Sequence, residues 1–397
     1  MRFKIASTFF LLLFNAQLLP AQLKPAEGFF TSEANTVTLG DDIIVSIKKY
    51  NPTAEELKKA QTPPTPGALN YLQITPAASN ITLTGKAFES DLYCIDKNGN
   101  QKWKTLLGYS KRSAASVIAS FNGFIYAGEA VKDDDKIMIQ KIDTAGKIIW
   151  STPLDSLQNV NSICIDDNKL NALVSFESSP KAYGKKDTSY RPYPIYFFLQ
   201  LDLETGKMIK KQYQLMGNYL SKLYYSNPKV NSSYSYFLNN RDSAVFLNVD
   251  KQDGATVISQ AKDTAASIVA LIGGKQSYHY LTLRNHPKDK EKYQLVSGFY
   301  ATEKTYVTDM PAKYNPMFGR FFLYKNDNDS VLTAIQSLTS IELVYTDTDG
   351  KANTYKTVTN IMAPLLTMGV QQDKVYLVYL DGRKQLGKPG TIKINYY

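Results

Sequence analysis

Ligands and nucleophiles of the usual kinds are scarce in this chain. The 397 residues include two histidines and two cysteines, which are His279, His286, Cys94 and Cys164. A structural zinc site takes four nitrogen or sulfur ligands, and neither HExxH nor CxxC spacing occurs. GxSxG, P-loop and GxGxxG motifs are also missing, and no Cys-x-x-Cys-His run offers a haem attachment. Asp133, Asp134 and Asp135 form an acidic run whose structural reading is a solvated hairpin tip. Asp347-Thr-Asp349-Gly350 opens like a calcium loop but lacks the further oxygen ligands that an EF-hand places at alternating positions. No metal and no cofactor is therefore expected. Carboxylate pairs of the glycosidase kind are defined by separation in space, so sequence spacing leaves that chemistry open.

Positive charge is the chemical feature that does concentrate. Lys and Arg number 46 against 36 Asp and Glu, giving a formal charge of +10. Three stretches carry the excess. Residues 181–194 hold Lys181, Lys185, Lys186 and Arg191 among Tyr183, Tyr190 and Tyr193. Residues 284–292 include Arg284 and Lys288, and residues 381–388 include Arg383 and Lys384. Basic side chains gathered on one face attract an acidic partner, while the plain alternative is that they keep long loops soluble. The candidate ligand-binding residues are Lys181, Lys185, Lys186, Tyr190, Arg191, Tyr193, Arg284, Lys288, Arg383 and Lys384.

What must position these loops is a repeat. Asp91-Leu-Tyr-Cys-Ile-Asp96-Lys-Asn-Gly99-Asn-Gln-Lys-Trp103 reads as strand, tight turn and strand ending on tryptophan, and residues 136–150 repeat it with Asp143, Gly146 and Trp150. The aspartate turns its carboxylate back onto backbone N–H groups, and the glycine supplies the positive φ of the turn. Further anchors are Asp202, Asp250 and Asp347, recurring about every 50 residues, a blade-sized period. Between Asp250 and Asp347 one copy survives only as an apolar strand, at residues 292–300.

The runs Asp143-Thr-Ala-Gly146-Lys-Ile-Ile-Trp150 and Asp202-Leu-Glu-Thr205-Gly206-Lys207 resemble the repeat of the PQQ-like propellers, in which a D-x-x-T-G-K-x-x-W run ends each blade. The resemblance covers about half the chain and implies blade architecture, with each tryptophan docked on the neighbouring blade. Trp103 and Trp150 are the only tryptophans, and Lys210 stands where a third would fall. Quinoprotein dehydrogenases with such blades add a vicinal cysteine pair or calcium-binding acids, and neither motif is present here.

In chain order, Met1-Arg-Phe-Lys4, an apolar run and Ala21 read as a signal peptide over residues 1–21, with a first cysteine too distant for lipid anchoring. The apolar run is too short to span a bilayer. The expectation is a secreted or periplasmic chain without a transmembrane segment, which makes nucleic acid an unsuitable partner. Residues 22–397 read as one β-rich domain, because 28 tyrosines and 18 phenylalanines favour strands. Residues 50–68 form a Pro-rich insertion opened by a capping box at Thr53 and Glu56. Both cysteines lie in apolar strands of different repeats and read as buried, unpaired thiols; a bridge needs Cα atoms within about 7 Å.

Third strands fall near residues 92, 138, 198, 246, 296, 343 and 393. The fold class is thus all-β, a seven-bladed β-propeller with eight blades as the alternative, closed by an N-terminal strand drawn from residues 36–47. The function expected is a non-catalytic binding or scaffold module for an acidic protein, glycan or envelope component. The alternative is an enzyme with a central-channel site, either a quinone-dependent dehydrogenase or a carbohydrate-active protein.

Overall fold

The computed structural model describes residues 24–61, 88–110, 115–131, 136–154, 159–166, 168–177, 194–215, 222–230, 233–240, 243–250, 254–261, 267–273, 278–289, 293–299, 305–309, 320–325, 330–336, 339–347, 351–359, 361, 363–381 and 389–397. The first strands are β1 (Glu27–Leu39), β2 (Asp42–Tyr50), β3 (Phe88–Ile95) and β4 (Gln101–Ser110), with the helix α1 (Ala54–Gln61) between β2 and β3. Next come β5 (Val117–Phe121), β6 (Phe124–Val131), β7 (Lys136–Ile142) and β8 (Ile148–Leu154), then β9 (Asn159–Asp166), β10 (Lys169–Glu177), β11 (Pro194–Asp202) and β12 (Met208–Leu215). A fourth group is β13 (Lys222–Val230), β14 (Ser233–Asn240), β15 (Ser243–Asp250) and β16 (Gly254–Ala261), and a fifth is β17 (Ser267–Gly273), β18 (Tyr278–Asn285), β19 (Tyr293–Phe299) and β20 (Thr305–Asp309). The chain ends with β21 (Arg320–Lys325), β22 (Val331–Gln336), β23 (Ser340–Thr346) and β24 (Ala352–Thr359), followed by β25 (Leu365–Gln371), β26 (Lys374–Asp381) and β27 (Gly390–Tyr396).

Strands β5 to β24 make five antiparallel sheets of four, each a meander in chain order, while the remaining strands form one sheet ordered β25-β26-β27-β1-β2-β3-β4. Among the described residues, apolar cores lie between neighbouring meanders. Ile44, Leu92 and Cys94 of the first pack with Ile118, Ile125 and Ile142 of the second. Tyr126, Ile137 and Ile139 of the second pack with Leu170, Ala172 and Leu199 of the third. Such repeated meanders, packed face to face, are the architecture of a β-propeller, and each meander is a blade. All the expected third strands are present, as β3, β7, β11, β15, β19, β23 and β27.

The middle strands lie between neighbouring blades, so both of their faces are covered. Ile43 to Lys48 of β2 and Val331 to Gln336 of β22 are buried without alternation. Outer strands have one covered face and alternate, as in β4 and β8.

The pairing of β1 with β27 falls upstream of residues 36–47, where the sequence places the junction. Glu27 pairs with Thr391 and Gly28 with Gly390, whereas residues 36–47 form a hairpin with Thr36 opposite Val45 and Val37 opposite Ile44. Gly40, at φ 60°, turns that hairpin, and β1 passes from β27 at Gly28 to β2 at Phe29, with a register shift between Phe30 and Ala34 inside the β1–β2 pairing. Two side-chain bonds tie the same seam: Gln371 Nε2 donates to Gly40 O at 2.8 Å and Gln372 Nε2 to Asp41 Oδ1 at 2.6 Å.

The Asp-Gly turns behave as turn chemistry. Asp143 Oδ1 accepts from the N–H groups of Ala145 and Lys147 at 2.9 and 2.8 Å. Asp96 does the same for Asn98 and Asn100, both at 2.8 Å. Three donors, the N–H groups of Glu204 and Thr205 and the Thr205 hydroxyl, converge on Asp202. The Thr205 bonds hold the Asp202 carboxyl below its ordinary value.

Each tryptophan fastens its blade to the next through one repeated clasp. Trp103 Nε1 donates to Thr144 O at 2.9 Å, and Thr105 Oγ1 to Gly146 O at 2.5 Å. One blade on, Trp150 Nε1 donates to Leu203 O at 3.1 Å and Thr152 Oγ1 to Gly206 O at 2.8 Å. The indoles lie so close over the turns that a Cβ on Gly146 or Gly206 would stand 2.7 Å from Trp103 or Trp150 Cε3. A threonine two residues after the tryptophan is thus part of the motif, a signal the sequence reading passed over.

Candidate binding face

Second and third strands of every blade are joined at the end opposite the Asp-Gly turns. Residues 51–87, 132–135, 178–193, 286–292 and 382–389 are all such connections. Lys181, Lys185, Lys186, Tyr190, Arg191, Tyr193, Arg383 and Lys384 lie outside the described residues, as do Asp133, Asp134 and Asp135. Arg284 is placed on β18 opposite Gln294. Lys288 is exposed just beyond that strand, and its backbone N–H donates to His286 Nδ1 at 3.2 Å. His286 Nε2 is 3.6 Å from Asp309 Oδ1, and Gln294 Nε2 donates to the same oxygen at 2.8 Å. The segment after β18 is therefore held down by a side chain of its own and by the end of β20. His279 sits on β18 between Ile272 and Phe299.

At the entrance to the first connection, Thr53 and Glu56 form the expected capping box. Thr53 N donates to Glu56 Oε2 at 2.6 Å, and Glu56 N donates back to Thr53 Oγ1 at 3.3 Å.

Beneath this face, between the first two blades, lies a buried polar cluster that sequence reasoning missed. Lys48 of β2 forms an ion pair with Glu129 of β6, each 1% exposed. The hydroxyls of Ser90 and Ser116 both donate to Glu129 Oε2, and the two hydroxyl oxygens are 2.7 Å apart. Burying the two charges costs several kcal/mol each, so the pairing must be retained once the groups are inside. With every member at 4% exposure or less, the cluster holds blades together and offers no hydroxyl to a substrate.

On the other side of the first blade, Asp91 is fully buried, with Lys104 Nζ at 2.9 Å and Tyr93 OH at 3.0 Å from its Oδ2. Burial pushes the Asp91 carboxyl above its ordinary value against the pull of Lys104, and it raises the Tyr93 hydroxyl as well. Glu89 adds Asn51 Nδ2 at 2.7 Å and Lys104 at 3.6 Å. Lys104 is thereby shared between both carboxylates of β3.

Both cysteines are buried, as expected. Burial, helped by the charge of Asp42, pushes the Cys94 thiol up to about 12, which leaves it protonated and inert at neutral pH.

No protein-family model matches the chain, and no curated protein matches it either. Solved structures do. Pyrococcus horikoshii acylaminoacyl peptidase superposes with a TM-score of 0.51 at 10% identity, over 93% of this chain and 52% of that one. This chain thus spans about half the length of that peptidase. The β-propeller domain of the Trilobed protease from Pyrococcus furiosus gives a TM-score of 0.46 at 11% identity, covering 94% of each chain. Hydrazine synthase from Kuenenia stuttgartiensis gives 0.49 at 8% identity, over 79% of this chain and 93% of that one. Likeness at these identities concerns the fold alone.

Proposed function

We propose that the chain is an exported seven-bladed β-propeller, closed by Glu27 and Gly28 on β27, that acts as a non-catalytic binding module. Its basic, tyrosine-bearing loops meet an acidic protein, a glycan or another acidic component of the cell envelope. The observation that carries this reading is the shared origin of the basic stretches. Residues 181–194, 284–292 and 381–388 all fall within or at the edges of connections between second and third strands, so they gather on one face. Support also comes from beneath that face, where Lys48 and Lys104 are engaged by Glu129, Asp91 and Glu89. Those lysines anchor blades and leave recognition to the loops.

The test is charge reversal. Changing Lys185, Lys186, Lys288 and Lys384 to glutamate should abolish retention on an anionic polysaccharide column, and wild-type retention should fall steeply as salt rises. Retention that is insensitive both to salt and to the reversal would overturn the binding role. A quinone-dependent enzyme would instead take up pyrroloquinoline quinone with calcium and show the cofactor's absorbance.

A further inference from the structure

Carboxylates are buried at both boundaries of the first blade, and they are served unequally. Glu129 has Lys48 on one oxygen and the Ser90 and Ser116 hydroxyls on the other. Asp91, 0% exposed, has Lys104 and the Tyr93 hydroxyl on Oδ2. Its Oδ1 is buried with no hydrogen-bond partner, the one carboxylate oxygen of which this holds among the described residues. A buried charge that is only half paired costs free energy that the neutral carboxyl does not. Burial accordingly pushes the Asp91 carboxyl up, with Lys104 and Tyr93 opposing and Glu89 adding to it.

Asp91 faces the seam where the ring closes. Tyr93 and Ile95, the next residues on its side of β3, pack with Leu380 of β26 and with Ile392 and Ile394 of β27. The Tyr93 ring meets Phe30 edge-on, with centroids 5.7 Å apart, and Phe30 lies just beyond the pair of Gly28 with Gly390. One tyrosine thus joins the carboxylate to the closing strand. The cation in reach is Lys104 of β4, shared with Glu89, while Lys49 of β2 lies opposite Glu89 and packs against Gly28. Glu27, Asp381 and Lys393 each follow a member of this core, namely Ala26, Leu380 and Ile392, and by strand alternation face away from it.

We infer that Asp91 is a proton-controlled latch on the seam between the first and last blades: neutral, it lets the seam pack tightly, and ionised, it loosens it. The inference rests on the closed-ring reading above. A carboxyl that holds its proton more firmly in the folded chain makes the folded state the better proton binder. Its contribution to stability is full in acid and is lost as pH rises through the folded-state value. Through this group, the seam is tightest in acidic surroundings.

Hydrogen exchange followed by mass spectrometry tests this on the whole protein, with wild type and Asp91→Asn compared at the same pH so that intrinsic exchange cancels. At pH 7 the variant should protect residues 27–30 and 390–394 about tenfold more than the wild type does, with residues 195–202 of β11 unchanged. At pH 4 the two proteins should exchange alike. Lys104→Met, which removes the opposing cation, should move the pH at which the seam loosens upward. Equal protection at pH 7 would overturn the inference, as would weaker protection in Asp91→Asn, a difference of the same size at both pH values, or equal slowing of β11. Should Asp91→Asn not fold, Lys104→Met decides, and a loosening pH that stays in place or falls overturns the latch. Fast exchange at residues 27–28 and 390–391 in both proteins at every pH would contradict the closed ring itself, so the two failures are told apart.

Discussion

Replacing Gly206 by alanine, alone and together with Trp150→Ala, isolates the energy of one clasp. Gly206 has φ 69°, a left-handed conformation that costs an L-residue about 1–2 kcal/mol. An added Cβ would lie 2.6 Å from Thr152 Oγ1 and 2.7 Å from Trp150 Cε3, an overpacking worth about 1–3 kcal/mol. The single Gly206→Ala change should therefore cost about 2–5 kcal/mol. Trp150→Ala alone should cost about 3–5 kcal/mol through the cavity it leaves. In the double variant the ring that the new methyl would strike is gone, so the alanine should retain mainly its backbone cost. The two effects should fall short of additivity by about 1–3 kcal/mol. Urea unfolding followed by far-UV circular dichroism measures all three variants, with the slope of the transition checked for constancy. Strict additivity would refute the clasp, because it would mean that indole and turn do not touch.

The other predictions are shorter. Lys48→Met should cost about 3–5 kcal/mol by stranding the Glu129 carboxylate, whereas Lys48→Met with Glu129→Leu should recover most of the loss; thermal unfolding of the two variants checks this. The Cys94 and Cys164 thiols should resist a thiol reagent in the native protein at pH 7 and react stoichiometrically in denaturant. Cys94 should stay unreactive up to pH 9, since its thiol sits at about 12, and early labelling would show that β3 is open to solvent. Asp143→Ala should cost about 1 kcal/mol through the two turn N–H groups it leaves without their carboxylate, measured by the same urea titration.

The architecture was legible in the sequence because turn chemistry is local. Asp96, Asp143 and Asp202 each satisfy their own turn, so the Asp-Gly spacing marks third and fourth strands without knowledge of any neighbour. The docking of Trp103 and Trp150 followed from the resemblance to PQQ-like blades. The threonine half of the clasp did not, since Thr105 and Thr152 look like ordinary strand residues until the next blade is in place. Lys48 and Glu129 were illegible for a related reason. Strand alternation separates buried from exposed residues only when one face is open, and β2 and β6 are covered on both. That β1 pairs with β27 at residues 27–28 and not within 36–47 was illegible because both stretches read as extended chain. What distinguishes them is the turn at Gly40, which commits the later residues to a hairpin of their own. Of the basic residues, Lys288 and Arg284 can be placed, and the common origin of their loops followed from strand order alone.

Closure of the ring by the N-terminal segment is the claim on which the account depends, and a single crosslink tests it. Glu27 and Thr391 are directly paired, far apart in sequence, and the native cysteines are buried away from them. Glu27→Cys with Thr391→Cys should form an intramolecular disulfide under mild oxidation, seen as faster migration on a non-reducing gel and as a higher Tm than in the reduced protein. Free thiols after oxidation, or crosslinks only between molecules, would contradict a ring sealed at this seam.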